Sequence, residues 1–200
     1  MDSERFERQI QFILEIDKLK TILRRTYLIH ADRAENTAEH SWHLALGAIV
    51  LAEHANEPVD VARVVKMVLV HDIVEIDAGD TYFYDAVGAL DKPEREDAAA
   101  ERLFGILPED QGNELRALWQ EFEAGNTPDA RFALALDRFM PQLHNYYTHG
   151  RSWAEHGITA DRVLERNEGM AEGSARLWQH ARGLLEDAVV KGLLPARKEK

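Results

Sequence analysis

Apolar residues recur at three- and four-residue intervals along most of this chain, and this spacing predicts helices. A first amphipathic helix is predicted near the N-terminus from the residues Phe6, Ile10, Ile13, Leu14, Ile16 and Leu19. Capping residues, prolines and glycines mark the ends of the later segments. Together these signals predict further helices over about 37–55, 60–72, 91–105, 108–124, 128–143 and 160–187.

The segment 61–70 (VARVVKMVLV) is almost entirely apolar, and a buried strand is an alternative to a helix there. No turn chemistry beside it would make a hairpin, and no partner strand is evident elsewhere. A helix that is apolar nearly all round is a central, buried one. We therefore expect an all-α helical bundle in which residues 1–200 form a single domain. Its core would span about 10–150, with a C-terminal helix at about 160–187 and a flexible tail at 195–200.

The composition limits the kinds of site that the chain can form. It has no cysteine, so a metal ion would be held by His, Asp and Glu. Such nitrogen and oxygen ligands favour Mn, Fe, Co, Ni, Zn or Mg. A formal net charge of -12 argues against binding to a nucleic-acid polymer or an anionic membrane. The charged N-terminus does not look like a signal peptide and no apolar run could span a bilayer, so we expect a cytoplasmic protein.

The adjacent pair His71 and Asp72 directly follows the apolar segment, at the end of an element that we expect to be buried. Burying both side chains without partners would cost several kcal/mol. A divalent cation would compensate them, and a salt-linked helix end is the alternative. His40 and Asp137 lie on two other apolar helices, although Asp137 alone is also consistent with an ion pair to Arg138. The combination of all four residues favours a metal site.

Further carboxylates and histidines lie close to these four in the sequence. Glu75 follows the pair by three residues and would share its face if the helix continues for another turn, and Asp80 lies in the loop beyond. His43 follows His40 by three residues, so it is either another ligand or a histidine that supports the ligands or packs in the core. His144 either lines the pocket or packs in the core.

Three segments resemble the HD-domain phosphohydrolases, and within them the branch that contains the bacterial 5′-deoxynucleotidases: AEHSWH, LVHDIVEIDAGD and LALDRFMPQLHNY. The resemblance covers about residues 10–150 and implies a helical bundle of the HD-domain type. It implies that one divalent ion is bound by four residues, His40, His71, Asp72 and Asp137. It also implies that Glu75 assists proton transfer and that Asp80 lies near the sugar and phosphate of the substrate.

Members of that branch carry an arginine, followed closely by a tryptophan, upstream of the first ligand histidine. Here Arg25 and Tyr27 occupy that place, with Arg24 as a competing candidate. Arg25 can make a bidentate contact to a phosphate, and Tyr27 would replace the tryptophan. A solvated helix face is the alternative for this basic stretch, which begins with Lys18 and Lys20.

The expected function is metal-dependent hydrolysis of a small phosphate monoester, in particular a nucleoside or deoxynucleoside 5′-monophosphate. One alternative is a phosphodiesterase or pyrophosphohydrolase that acts on another nucleotide. Another is a non-catalytic helical interaction module. The expected partners are a small phosphate ester or nucleotide and, from the resemblance, a second copy of the chain in a homodimer.

Overall fold

The structure of the protein is a computed structural model that describes residues 2–85 and 87–196. Within these residues the chain forms eleven α-helices: α1 (Asp2–Ile16), α2 (Thr37–Leu51), α3 (Val61–Val70), α4 (Glu75–Ala78), α5 (Lys92–Phe104), α6 (Glu109–Ala124), α7 (Pro128–Tyr147), α8 (Arg151–Glu155), α9 (Ala160–Asn167), α10 (Met170–Gly173) and α11 (Ala175–Val190). Short 3₁₀ helices follow α1 and α2, at Asp17–Thr21 and Ala52–His54. The mostly helical fold expected from the sequence is confirmed.

A small β-hairpin precedes α2 and was not expected. Strand β1 (Leu23–Tyr27) pairs antiparallel with β2 (Ala34–Asn36), with Leu23 opposite Asn36 and Tyr27 opposite Ala34. Strands of five and three residues are too short for an alternating pattern to identify them in the sequence. The hairpin matters because β1 carries both arginines of the basic stretch.

The start of α2 is held by a capping box and by the hairpin. The side chain of Asn36 accepts a hydrogen bond from the Glu39 amide at 2.9 Å, and the Glu39 carboxylate accepts one from the Asn36 amide at 3.1 Å. The Thr37 amide donates to the carbonyl of Ile22 at 3.0 Å. These bonds fix the first turn of α2, which contains His40.

Helix α7 lies at the centre of the molecule and packs against α2, α3, α6, α10 and α11. Thr127 caps it by accepting a hydrogen bond from the Ala130 amide at 3.1 Å. The largest buried apolar cluster surrounds α7 and includes Leu44, Val64, Met67, Val68, Phe122, Phe132, Leu136, Met140, Met170 and Leu177. Asp137 lies in the middle of this helix, and its side chain is 27% exposed.

The apolar segment 61–70 forms the helix α3, as expected, and Asp60 caps it. The expectation that this helix is buried all round was wrong. Val64 and Met67 are fully buried, whereas Leu69 is 45% exposed. The reason is that α3 lies at the side of the bundle, with one face against α2, α6 and α7.

The C-terminal region contains three helices, α9, α10 and α11, and the single helix expected at about 160–187 was wrong. Ser174 interrupts it with an extended backbone and caps α11 by accepting from the Leu177 amide at 3.1 Å. Gly173 lets α10 approach α7 closely, because a Cβ at this position would lie 2.0 Å from the carbonyl oxygen of Arg131. These breaks depend on packing against α7, which the sequence pattern does not report.

The flexible tail expected at 195–200 does not begin at Pro195. Leu194 is buried, and the carbonyl of Pro195 accepts a hydrogen bond from the Ala160 amide at 2.8 Å. Both contacts anchor this part of the chain to the start of α9. Residues 197–200 lie outside the described residues.

The apolar stripe of α1 faces outward, which the sequence pattern alone did not indicate. Four of its residues are 42–68% exposed: Phe6, Ile10, Ile13 and Leu14. Phe12 and Leu19 are the residues of this region that are buried. A second exposed apolar stripe lies on α2 and consists of Trp42, Leu46, Ile49 and Val50. None of the described helices has both the length and the apolar character needed to cross a membrane.

We expect the same substitution at two glycines to change stability in opposite directions. In Gly173→Ala the new Cβ would collide with the carbonyl oxygen of Arg131, and overpacking of this kind costs about 1–3 kcal/mol. In Gly183→Ala, within α11, the new Cβ meets no packed neighbour within 4 Å. The free energy of unfolding should therefore rise by about 0.4–1 kcal/mol, because the unfolded chain loses freedom. Urea denaturation measures both changes, and a Gly173→Ala variant as stable as wild type would contradict the close contact.

Candidate metal centre

The structure brings the four expected ligands into one cluster, in which His40, His71 and Asp72 are buried and Asp137 is half-buried. His40 comes from the first turn of α2 and Asp137 from the middle of α7, whereas His71 and Asp72 directly follow α3. His40 Nε2 lies 2.9 Å from Asp137 Oδ1. His71 Nε2 lies 3.0 Å from Asp72 Oδ1 and 3.7 Å from Asp137 Oδ1. Ligand atoms of His40, His71 and Asp72 all lie within 4.8 Å of one another, which is a spacing that can hold a metal ion.

The hydrogen bonds of His71 leave one ring nitrogen available to a cation. Its Nδ1 lies 2.9 Å from the carbonyl oxygen of Val68. Because a carbonyl only accepts, Nδ1 carries the proton and donates it. Nε2 is buried and has no hydrogen-bond partner within the described residues, and it points towards the carboxylates. A divalent ion would use this orphaned nitrogen, so the cluster fits a metal ion.

Glu35, on β2, supports His40 from behind and was not identified from the sequence. Its Oε2 lies 3.4 Å from His40 Nδ1, and the hydroxyl of Thr26 donates to the same oxygen at 3.2 Å. A carboxylate behind a ligand histidine is a common arrangement in metal sites, since it orients the ring. No apolar periodicity surrounds Glu35 in the sequence, and its contact with His40 depends on the hairpin.

Arg24 is the cation that balances the carboxylates of the cluster. Its Nη1 donates to Asp72 Oδ2 at 2.9 Å, and its Nη2 lies 3.9 Å from Asp137 Oδ1. Its Nε lies 3.7 Å from Glu35 Oε2. The side chain is 15% exposed, so these contacts are poorly screened by water. Arg24 therefore acts within the cluster rather than at its surface.

The charges of the cluster keep both ligand carboxyls ionised. Burial alone would raise the pKa of Asp72, but His71 and Arg24 lower it to about 2. Burial also opposes ionisation of Asp137, but the neighbouring imidazoles of His40 and His71 hold its pKa well below the ordinary value. The same carboxylates outweigh burial at His71 and raise its pKa well above the ordinary value. A divalent cation would take the place of that proton, because metal binding requires a neutral imidazole.

The same surroundings raise the pKa values of Glu75 and Asp80, whereas they lower those of Asp72 and Asp137. Burial, and then the charge of Asp72, raise the pKa of Glu75 well above its ordinary value. Burial raises the pKa of Asp80 as well, against the pull of Arg24. The hydroxyl of Thr37 donates to Glu75 Oε2 at 3.0 Å and orients the carboxyl group. Glu75 is thus a buried carboxyl group that favours the protonated form beside two carboxylates that favour the ionised form.

A cavity of about 330 Å³ opens onto the cluster. Six of its lining residues belong to the predicted site or its competing arginine: Arg24, Arg25, Asp72, Glu75, Asp80 and Asp137. Others were not identified from the sequence and include Tyr82, Phe83, Tyr84, Lys92, Arg138, Arg166 and Asn167. Most of these come from the irregular loop after Gly79 and from α9, which only the fold brings to the metal cluster.

The structure does not bring Tyr27 to the cavity. Its hydroxyl donates to Glu155 Oε2 at 2.8 Å, and the guanidinium of Arg151 lies 3.7 Å from the centre of its ring. Arg25 does line the cavity and is exposed there. His43 and His144 lie outside the lining and stack on each other, with ring centres 5.5 Å apart.

A family model described as HD domain matches residues 16–178. The chain belongs to the HD-domain family. The match runs from the last residue of α1 into α11, so it includes all four candidate metal ligands, His40, His71, Asp72 and Asp137. The resemblance found in the three sequence segments is therefore confirmed, and the HD-domain match extends well beyond the region in which those segments lie.

The chain is similar to curated 5′-deoxynucleotidases of this family. It is 33% identical over 131 residues to 5′-deoxynucleotidase HDDC2 of Bos taurus and 30% identical over 130 residues to that of Homo sapiens. Each match covers 64% of this chain and 62% of the relative. The matched part of the chain thus spans less than two thirds of the length of these relatives.

Solved structures extend the likeness to nearly the whole HD-domain chain. A protein of Magnetospirillum magnetotacticum MS-1, named a predicted metal-dependent phosphohydrolase, has a TM-score of 0.90 and is 54% identical, with 98% of each chain covered. The PH0347 protein of Pyrococcus horikoshii OT3 has a TM-score of 0.60 at 23% identity, covering 90% of this chain and 97% of that one. The second likeness shows a shared fold.

Replacing a ligand should weaken metal binding at the cluster. We expect His71→Ala and Asp137→Asn each to lower the affinity for Mn²⁺ by at least about 100-fold. Replacing even a residue that only supports a metal ligand lowers metal affinity by about 10–100-fold. Titration with Mn²⁺, followed by the electron paramagnetic resonance signal of the free ion, measures this. His30→Ala, at an exposed residue between β1 and β2, is the matched control. Wild-type affinity in both ligand variants would rule out this site.

Proposed function

We propose that this HD-domain protein is a metal-dependent phosphohydrolase that acts on nucleoside 5′-monophosphates, deoxynucleoside monophosphates among them. The observation that carries the proposal is the cavity of about 330 Å³ beside the metal cluster. Its wall combines carboxylates that can hold a divalent ion, Asp72 and Asp137, with cations that can hold a phosphate, Arg25 and Lys92. The relatives named 5′-deoxynucleotidase support this choice of substrate.

The metal ion would be held by two imidazoles and two carboxylates, those of His40, His71, Asp72 and Asp137. When bound, a divalent ion at this place supplies Lewis-acid polarisation of the phosphoryl group and a water of lowered pKa. The mixed nitrogen and oxygen donors suit Mn, Fe, Co, Ni or Zn, and Mg through the carboxylates. Arg24 and Glu35 hold Asp72 and His40 in place, so the donor atoms converge before the ion arrives.

Arg25 is the arginine that we assign to the phosphate. The guanidinium of Arg24 already donates to Asp72, and the Arg24 side chain is only 15% exposed. Arg25 is exposed at the cavity and has no ion pair within the described residues. Its guanidinium can therefore form a two-pronged contact with a phosphate, which is the geometry that arginine favours.

Glu75 is the group that we assign to protonation of the leaving 5′-oxygen. A general acid must carry its proton at the working pH, and burial together with Asp72 raises the pKa of Glu75. The hydrogen bond from Thr37 keeps the carboxyl group in one orientation. Asp80 lies nearby, and its pKa is raised less than that of Glu75. We assign Asp80 to binding of the sugar and phosphate.

The remaining wall of the cavity is suited to a nucleoside. Tyr82, Phe83 and Tyr84 line it, and aromatic rings bind the flat faces of bases without strong sequence preference. The volume of about 330 Å³ is at the lower end of the range for small-ligand pockets, about 300–1,000 Å³. That size favours a monophosphate over the larger substrates of a phosphodiesterase or pyrophosphohydrolase.

We also propose that the protein is a homodimer. Helices of single chains normally turn apolar stripes inward, but those of α1 and α2 are exposed. The α2 stripe, from Trp42 to Val50, contains no charged residue, so the same stripe of a second copy can pack against it across a two-fold axis.

Sedimentation should show a dimer that becomes a monomer when Trp42→Glu and Leu46→Glu are combined. Leu90→Glu, at a residue 82% exposed outside the stripes, should leave it a dimer; a monomeric wild type would contradict the proposal.

Glu75→Gln should separate metal binding from catalysis. We expect the variant to bind Mn²⁺ as wild type does and to lose turnover by about 10²–10⁴-fold, which is the usual contribution of a general acid. Because the pKa of Glu75 is raised, its proton is lost as the pH rises through that raised value. Wild-type turnover should therefore fall on the alkaline side, and the residual turnover of Glu75→Gln should lack that fall. Phosphate release from a panel of nucleotides, with and without chelator, measures both.

One control variant and one substrate-binding variant make this test specific. Glu94→Gln, at an exposed residue in the first turn of α5, should keep wild-type turnover. Arg25→Ala should raise KM for a nucleoside monophosphate by about 10–100-fold, as expected for the loss of hydrogen bonds to a charged group. Full activity of Glu75→Gln would remove the acid role, and release of no phosphate from any nucleotide by wild type would overturn the function.

A further inference from the structure

Three residues outside the cavity form a second group of possible metal ligands. Glu35 comes from β2, His43 from the second turn of α2 and His144 from the last turns of α7. Each offers one ligand atom, and these atoms all lie within 4.8 Å of one another. Glu35 and His144 are buried and His43 is half-buried. His43 thus belongs to this group rather than to the cluster of His40, three residues earlier.

Hydrogen bonding does not explain why these side chains are together. His144 is only 3% exposed, and its Nδ1 is buried without a hydrogen-bond partner in the described parts of the chain. The facing acceptor, Oε1 of Glu35, lies 3.7 Å away, which is beyond hydrogen-bond distance. A buried polar atom normally finds a partner, so an orphan that faces a carboxylate and a second imidazole calls for a ligand between them.

We propose that Glu35, His43 and His144 form a second divalent-cation site, with Zn²⁺ as the best-matched ion. Two imidazoles and one carboxylate are a ligand set that zinc uses, with water in the fourth position. The imidazoles of His43 and His144 stack at an angle of 27°, with ring centres 5.5 Å apart.

The charges of the group also suit a cation. Burial lowers the pKa of His144, which keeps its imidazole in the neutral form that metal binding requires. Glu35 supplies the carboxylate of the group, and its Oε1 faces His144. The site would thus present two imidazoles and one carboxylate to an ion.

The two oxygens of Glu35 connect the proposed site with the metal cluster. Oε1 faces His144 at 3.7 Å, and Oε2 faces His40 at 3.4 Å. A cation at the second site would join the hairpin, α2 and α7, which are the elements that carry Arg24, His40 and Asp137. It would therefore stabilise the arrangement on which the first cluster depends, although it takes no part in the hydrolysis proposed above.

Zn²⁺ titration of the metal-stripped protein against a competing chromophoric chelator tests the proposal without any measurement of activity. We expect wild type to bind about two ions per chain, and His43→Gln and His71→Ala to bind about one each. The variant that combines His43→Gln with His71→Ala should bind no Zn²⁺. Zn²⁺ should also raise the midpoint of thermal unfolding of His71→Ala but not that of the double variant, because only a folded-state site stabilises. His30→Gln is the matched control and should bind about two ions.

Uptake of a single ion by wild type, retained by His43→Gln and lost by His71→Ala, would overturn the second site. So would uptake of two ions by His43→Gln. If His43→Gln fails to fold, which far-ultraviolet circular dichroism would show, His144→Gln replaces it, because His144 belongs to this group of ligands and not to the first cluster. Failure of the hydrolytic function would leave this result unchanged, since the ion count does not depend on turnover.

Discussion

The rest of the structure depends on the partners of two carboxylates, the buried one of Asp72 and the half-buried one of Asp137. An ionised group in a protein interior is tolerated only when partners surround it. The partners come from distant parts of the chain: Arg24 from the hairpin, His40 from α2, and His71 from the end of α3. Each of these elements must therefore reach the centre of α7 with a charged or polar residue at its point of contact.

The same environment produces carboxyl groups of opposite character within one cavity. Asp72 and Asp137 face histidines and an arginine, so their pKa values fall despite burial. Glu75 lies one turn further along, where burial and the charge of Asp72 raise its pKa. A site with both kinds of group can hold a cation and deliver a proton, which is the combination that phosphate-ester hydrolysis needs.

The hairpin has a larger role than its size suggests. Arg24 on β1 neutralises Asp72, and Glu35 on β2 supports His40. The second oxygen of Glu35 faces His144 on α7, so the two short strands contact both groups of candidate metal ligands. In return the hairpin is held in place by those contacts and by the capping box of α2 at Asn36. Local strand propensity alone would not keep so small a sheet folded.

The sequence by itself determined the helices that have their own start and stop signals, such as α7 with its Thr127 cap, and it identified the His71 and Asp72 pair. These features depend on residues a few positions apart, which a sequence pattern records directly. Only the tertiary structure decided the break at Ser174, the position of Tyr27 away from the cavity, and the place of Arg24 inside the cluster. Each of those outcomes depends on contacts between residues far apart in the chain, and local periodicity carries no information about which distant group will be the partner.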